Sequence, residues 1–157
     1  METVIKLVAD GLVIPVALIS TFALLRYVPR GHRYQVYARV LMAGLTAYVA
    51  AKIIGLLYQP ELLRPFERLG VEASASFLNN PGFPSDHALF VTALTLAVWF
   101  GTRRRWLALI CALLSLAVCV GRVVALVHTP LDVIGGVVIA CLGVVWYLRM
   151  PAQARRN

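Results

Sequence analysis

Residues 106–132 read WLALICALLSLAVCVGRVVALVHTPLD. From Trp106 to Val127 the only charged side chain is Arg122, and roughly 17–25 apolar residues are what a helix needs to cross a bilayer. A polar group follows at once, with His128, Thr129 and Asp132 ending the run. Four further apolar stretches surround it: Val4–Leu25, Val36–Tyr58 and Ala88–Thr102 before it, and Val133–Leu148 after it. The expected fold is all-α, a polytopic membrane bundle of about five transmembrane helices forming one domain over residues 1–157. The Ala88–Thr102 run is short, so its first turn is expected below the membrane surface or in a polar site. The first run resembles a signal peptide in length only. Glu2 precedes Lys6, Asp10 interrupts the apolar stretch and no small-residue cleavage site follows, so it is expected to be a retained helix.

Composition agrees with a lipid environment. Of 157 residues, 61% are hydrophobic and 14% charged, against a charged share of about 25% in soluble domains. The net charge of +8 would suit nucleic acid, but the chain has no long polar surface on which to build a basic groove, and no nucleic-acid partner is expected. Cys111, Cys119 and Cys141 all lie in apolar runs, where a thiol acts as a small hydrophobe, so neither a disulfide framework nor a metal knot is expected.

Charge asymmetry sets a direction. Arg26, Arg30, Arg33 and Arg39 surround the first connection, Arg103, Arg104 and Arg105 the third, and Arg149, Arg155 and Arg156 the C-terminus; together they are ten of the fifteen basic residues. In a five-span chain these regions share one side, and short basic loops stay in the cytoplasm. The seven acidic residues map to the other side or to helix ends facing it. The N-terminus and the 59–86 loop are therefore expected outside the cytoplasm. The run of three arginines is a topology anchor that also meets anionic lipid heads.

Ionisable groups inside spans cost at least about 2.5–3.5 kcal/mol on insertion scales and are site candidates by default. Lys52 and Arg122 fall near the outer ends of the second and fourth runs, at the depth of His87, His128 and Asp132. Snorkelling to the interface accounts for either cation alone but not for the cluster. In Gly82-Phe83-Pro84-Ser85-Asp86-His87 the spacing predicts a turn into a helix with Ser85 as N-cap, and a helix N-terminus offers backbone N–H groups to an anion. Thr129-Pro130-Leu131-Asp132 reads as a capping box with aspartate in the glutamate position. Asp132 is then either a cap or the orienting partner of His128, four residues before it, leaving the other ring nitrogen as a nucleophile. One lysine, one or two arginines, two histidines, a carboxylate and a helix N-terminus suit a phosphoryl group, whose transition-state charge is stabilised by positioned donors. A metal site fits poorly: His32 belongs to the opposite side, and His87 and His128 lack the thiolates or carboxylate cluster of a first shell. Neither metal nor cofactor is expected.

These residues resemble the type-2 phosphatidic acid phosphatase superfamily of integral membrane lipid phosphatases. Its three signatures are Lys, six residues, Arg-Pro; Pro-Ser-Gly-His; and Ser-Arg, five residues, His, three residues, Asp. Gly121-Arg122, five residues, His128, three residues and Asp132 match the third with Gly121 in place of serine, and Pro84-Ser85-Asp86-His87 matches the second with Asp86 in place of glycine. The aspartate form, with Phe83 before it and Arg64-Pro65-Phe66 upstream, is similar to the branch that dephosphorylates undecaprenyl diphosphate in bacterial envelopes. The first signature departs: Lys52 is followed after six residues by Gln59-Pro60, so either Gln59 or Arg64 fills the arginine position. The resemblance covers about residues 50–140, and the family often has six spans.

By that resemblance His128 attacks phosphorus, Asp132 orients it, and His87 protonates the leaving oxygen and then activates water. Lys52, Arg122 and Arg64 would hold the phosphoryl oxygens together with N–H groups around Ser85 and Asp86. The implied activity is metal-independent hydrolysis of a membrane lipid phosphate or diphosphate at the extracytoplasmic face of the bacterial plasma membrane, with the lipid bilayer as partner. Two alternatives stay open. A phosphotransferase would pass the phosphohistidine to another lipid, and a headgroup-binding or transport protein would need the cations without the histidine pair.

Overall fold

The computed structural model describes residues 2–78, 80 and 82–148; Arg149, Arg155 and Arg156, part of the charge pattern above, lie outside the described residues. The first span is built from α1 (Glu2–Lys6), a π-helical turn over Leu7–Gly11 and α2 (Val13–Tyr27). A short 3-10 turn, Arg30–His32, leads into α3 (Arg33–Leu57), and a long loop carrying α4 (Pro65–Leu69) leads to α5 (Asp86–Gly101). Next come α6 (Arg105–Val124), α7 (Pro130–Leu142) and α8 (Val144–Leu148). No strand occurs among the described residues, and four helical stretches are long and apolar enough to cross a membrane: Glu2–Tyr27, Arg30–Leu57, Arg105–Val124 and Pro130–Leu148.

The fifth apolar helix, α5, has 16 residues, about 24 Å at the usual rise, which falls short of a roughly 30 Å hydrocarbon core. Its first turn carries Asp86 and His87, so the shortness expected from sequence has a structural consequence: the helix begins in a polar site.

Lipid exposure and helix contact divide the side chains by size. On α6, Leu109, Leu113, Leu116, Val120 and Val124 form the exposed stripe, while the inward face is mostly small, Ala108, Cys111, Ser115, Cys119 and Gly121, with Leu107, Val118 and Arg122 among them. Small inward residues let backbones approach, which is what drives association when lipid is as apolar as leucine. Ala47 and Ala51 of α3 pack with Leu89 of α5 and Ile139 and Ala140 of α7. At Gly143 a Cβ would come within 2.8 Å of the Ala43 carbonyl oxygen. Polar pairs cross the same contacts: Thr95 and Ser115 hydroxyls lie 3.0 Å apart, and Trp146 Nε1 donates to Thr46 Oγ1 at 2.9 Å.

The basic loops meet at one end of the bundle. Arg104 lies over the Tyr27 ring at 4.8 Å and Arg105 over Trp99 at 4.1 Å. Helices α5, α6 and α7 reverse direction between this end and the one that holds Asp86, Arg122 and Asp132, so the sequence signatures gather at the opposite end.

Candidate active site

Local capping builds the frame. Ser85 is the N-cap of α5 and accepts from Ala88 N–H at 3.5 Å. Thr129 caps α7, accepting from Asp132 N–H at 3.2 Å, while Asp132 Oδ2 accepts from Thr129 N–H at 2.8 Å. Both expected caps are present. The Ser85 N–H then donates to the Asp132 carbonyl oxygen at 3.0 Å, which ties the two helix starts together. Glycines make that approach possible: a Cβ at Gly136 would stand 2.6 Å from the Ser85 carbonyl oxygen, and one at Gly135 2.3 Å from the Phe83 ring.

Between these helix starts lies a cavity of about 250 Å³. Arg64, His87, Arg122 and His128 line it together with Pro84, Asp86, residues 76–78 and Asn80. His128 is 5% exposed, with its Nδ1 3.6 Å from Asp132 Oδ2. That separation is longer than a hydrogen bond, and Nδ1 has no hydrogen-bond partner among the described residues. Catalytic contacts of this kind commonly tighten when substrate binds. Burial lowers the pKa of His128 below its usual 6.5, Arg122 and Arg64 add to the effect, and Asp132 opposes it. The ring is therefore neutral at pH 7, the state a nucleophile needs.

Arg122 is 1% exposed and donates from Nη1 to Asp10 Oδ1 at 2.6 Å. The other Asp10 oxygen accepts from Ser76 N–H at 2.9 Å, and His87 Nε2 lies 3.8 Å from Oδ1. In the sequence Asp10 reads as an interruption of an apolar run and one of the outward-mapped acids; an acid inside a span is itself the signal of a partnered role.

Arg64 enters the cavity wall from the loop, 7% exposed. Its Nη1 donates to the Val127 carbonyl at 2.6 Å and its Nη2 to the Leu78 and Asn80 carbonyls, each at 3.1 Å. It thus clamps the loop to the residue before His128. Burial is also the main influence lowering its pKa, opposed by Asp132, Glu67 and Asp86. Gln59 does not line this cavity; its Nε2 donates to the Gly55 and Phe83 carbonyls, the latter at 3.0 Å, fastening the end of α3 to the turn before α5.

Two expected phosphate ligands have other partners. Lys52 Nζ lies 3.0 Å from Asp86 Oδ1 at the rim and is not part of the cavity wall. Ser85 is fully buried, with its N–H and hydroxyl both engaged in the frame. Asp86 and His87, one and two residues further on, do reach the cavity.

A larger cavity, about 440 Å³, opens at the basic end between Tyr27, His32, Arg39, Trp99, Arg105 and Tyr147. Among the described residues its lining has one histidine and no carboxylate, so the His128–Asp132 pair lies at the smaller cavity.

Fold and cavity together define a helical membrane protein with a cationic, histidine-bearing site at one end of its bundle. The sequence profile of the PAP2 superfamily matches residues 13–156, and the chain belongs to that family. It is thereby a phosphatase in the general sense, acting on phosphate esters. The match extends well beyond the stretch of about 50–140 that carries the signatures. No curated protein and no solved structure gives a significant match.

Proposed function

We propose that the protein is a metal-independent phosphatase of membrane lipid phosphates, acting through a phosphohistidine, with undecaprenyl diphosphate as the first candidate substrate. The observation that carries this reading is the convergence of the His128–Asp132 pair, His87 and Arg122 on one cavity at the end of an apolar bundle. Nδ1 of His128 faces Asp132, which leaves Nε2 for in-line attack on phosphorus. As the N–P bond forms, the bond from phosphorus to the leaving oxygen breaks, and that oxygen takes a proton from His87. Water, deprotonated by His87, then attacks phosphorus, releasing phosphate and restoring His128. Arg122, Arg64 and the N–H groups of Asp86 and His87 stabilise the equatorial oxygens. Lys52 acts at the rim through Asp86.

The lipid tail lies between helices toward the bilayer. The positive-inside rule puts the site on the extracytoplasmic face, and the Phe83-Pro84-Ser85-Asp86-His87 run supports the diphosphate substrate through its family resemblance. The test is release of inorganic phosphate by the detergent-purified chain from phosphatidic acid, phosphatidylglycerol phosphate and undecaprenyl diphosphate, side by side. Release should persist in excess chelator and stop with vanadate. Activity that is lost to chelation and restored by magnesium would end the phosphohistidine reading.

A further inference from the structure

We infer that Asp10, on the first membrane-spanning helix, is a positioning residue that orients the Arg122 guanidinium toward the phosphoryl group. The inference rests on the phosphatase reading above and adds to it a residue that the family signatures do not contain. Asp10 joins three parts of the molecule: Arg122 of α6 at 2.6 Å, the Ser76 N–H of the long loop at 2.9 Å and, at 3.8 Å, His87 of α5. Both carboxylate oxygens are thereby engaged. Arg122 is held at Nη1, while its Nε is buried with no hydrogen-bond partner among the described residues. A guanidinium anchored at one corner presents its remaining donors as a rigid fork, the geometry that matches phosphoryl oxygens.

The backbone is shaped to deliver this contact. Asp10 lies in the π-helical turn Leu7–Gly11, and single π turns inside α-helices recur at functional sites. That turn packs on α6 where the family signature has serine and this chain has Gly121, the residue before Arg122. A Cβ at Gly121 would come within 2.9 Å of Ala9 N and 3.0 Å of Ala9 Cα. The departure from the signature and the acid in the first span are therefore one arrangement: glycine admits the turn, and the turn brings the carboxylate to the arginine.

A purely structural ion pair would also neutralise Arg122, so the test must separate positioning from folding. The full chain is purified in detergent as wild type, Asp10→Asn, Asp10→Glu, Arg122→Ala and the Asp10→Asn/Arg122→Ala double variant. Orthovanadate affinity and kcat/KM for lipid phosphate release are measured, with helicity and thermal melting as folding controls. Asp10→Asn should weaken vanadate binding and lower kcat/KM by roughly tenfold or more, and Asp10→Glu should recover part of both. In the Arg122→Ala background the same change should cost less than about twofold, since directly coupled residues are non-additive. Equal loss in both backgrounds, or no loss with Asp10→Asn, overturns the inference. If Asp10→Asn does not fold, Asp10→Glu and Gly121→Ala, which keep the charge and shift its position, are read in the same two backgrounds by the same criterion. Wild type that neither binds vanadate nor releases phosphate overturns the proposed function itself, a result distinct from an active wild type indifferent to Asp10.

Discussion

His128 depends on its surroundings for its protonation state. Burial first, then the charges of Arg122 and Arg64, keep its pKa below 6.5, with Asp132 opposing. The acid limb of kcat/KM should accordingly fall below pH 6.5, and Arg64→Ala, by removing a positive charge, should move that limb to higher pH. The same shift acts on stability. The unfolded imidazole takes up its proton at higher pH than the folded one, so stability is complete above about pH 6.5 and declines as pH falls through that range. A pH–rate profile and a melting series across pH 4–8 check both signs. His87→Ala should lower turnover by roughly 10²–10⁴, the usual contribution of a general acid, and His128→Ala by at least as much. Asp132→Asn should keep much of the α7 cap, since Thr129 remains the N-cap and an amide oxygen at position 132 can still accept from the Thr129 N–H, while losing the charge that faces His128. Arg64→Ala should lower kcat/KM by roughly 10²–10³, because it removes a cavity charge and the clamp on Val127. Gln59→Ala, which loses contacts to the Gly55 and Phe83 carbonyls, should cost about 1 kcal/mol of stability with little change in kcat. A damaging Gln59→Ala beside a silent Arg64→Ala would return the cationic position to the end of α3.

At the scale of helices, the α5–α7 contact is where packing becomes chemistry. Gly136→Ala would drive a Cβ against the Ser85 carbonyl at 2.6 Å, which is backbone and cannot turn aside. It should destabilise the fold by about 1–3 kcal/mol, as overpacking does, and should lower activity because both helix starts move. Gly44→Ala is the matched control: nothing lies within 4 Å of its added Cβ, and alanine favours helix over glycine. Melting in detergent together with phosphate release separates the two, and equal behaviour of both variants would remove the close approach from the explanation. The caps at Ser85 and Thr129 were legible from sequence because an N-cap and its partner lie within three residues. That Ser85 also joins α5 to α7 was not, since Ser85 and Asp132 are far apart in the chain and meet only through the glycines between the helices.

For the whole molecule, the arginines predict an orientation. Reporters fused after Arg104 should be cytoplasmic and those inserted near Glu72 extracytoplasmic; a cytoplasmic Glu72 would put the cavity on the inner face and exclude an outward-facing carrier lipid. The aromatic–arginine contacts at the basic end give those loops a packing role besides the topological one expected of them.

The spans, the arginine asymmetry, the two helix caps and the order of the histidine motifs were determined by the sequence alone, because each depends on composition or on residues within a few positions of one another. Tertiary structure decided the partners. It paired Asp10 with Arg122 across 112 residues, set Arg64 against Val127 across 63 and gave Lys52 to Asp86 across 34. Such pairs are outcomes of helix packing, of where a glycine admits a neighbouring backbone and of which buried charge must find an opposite one, and no local pattern in the chain records them.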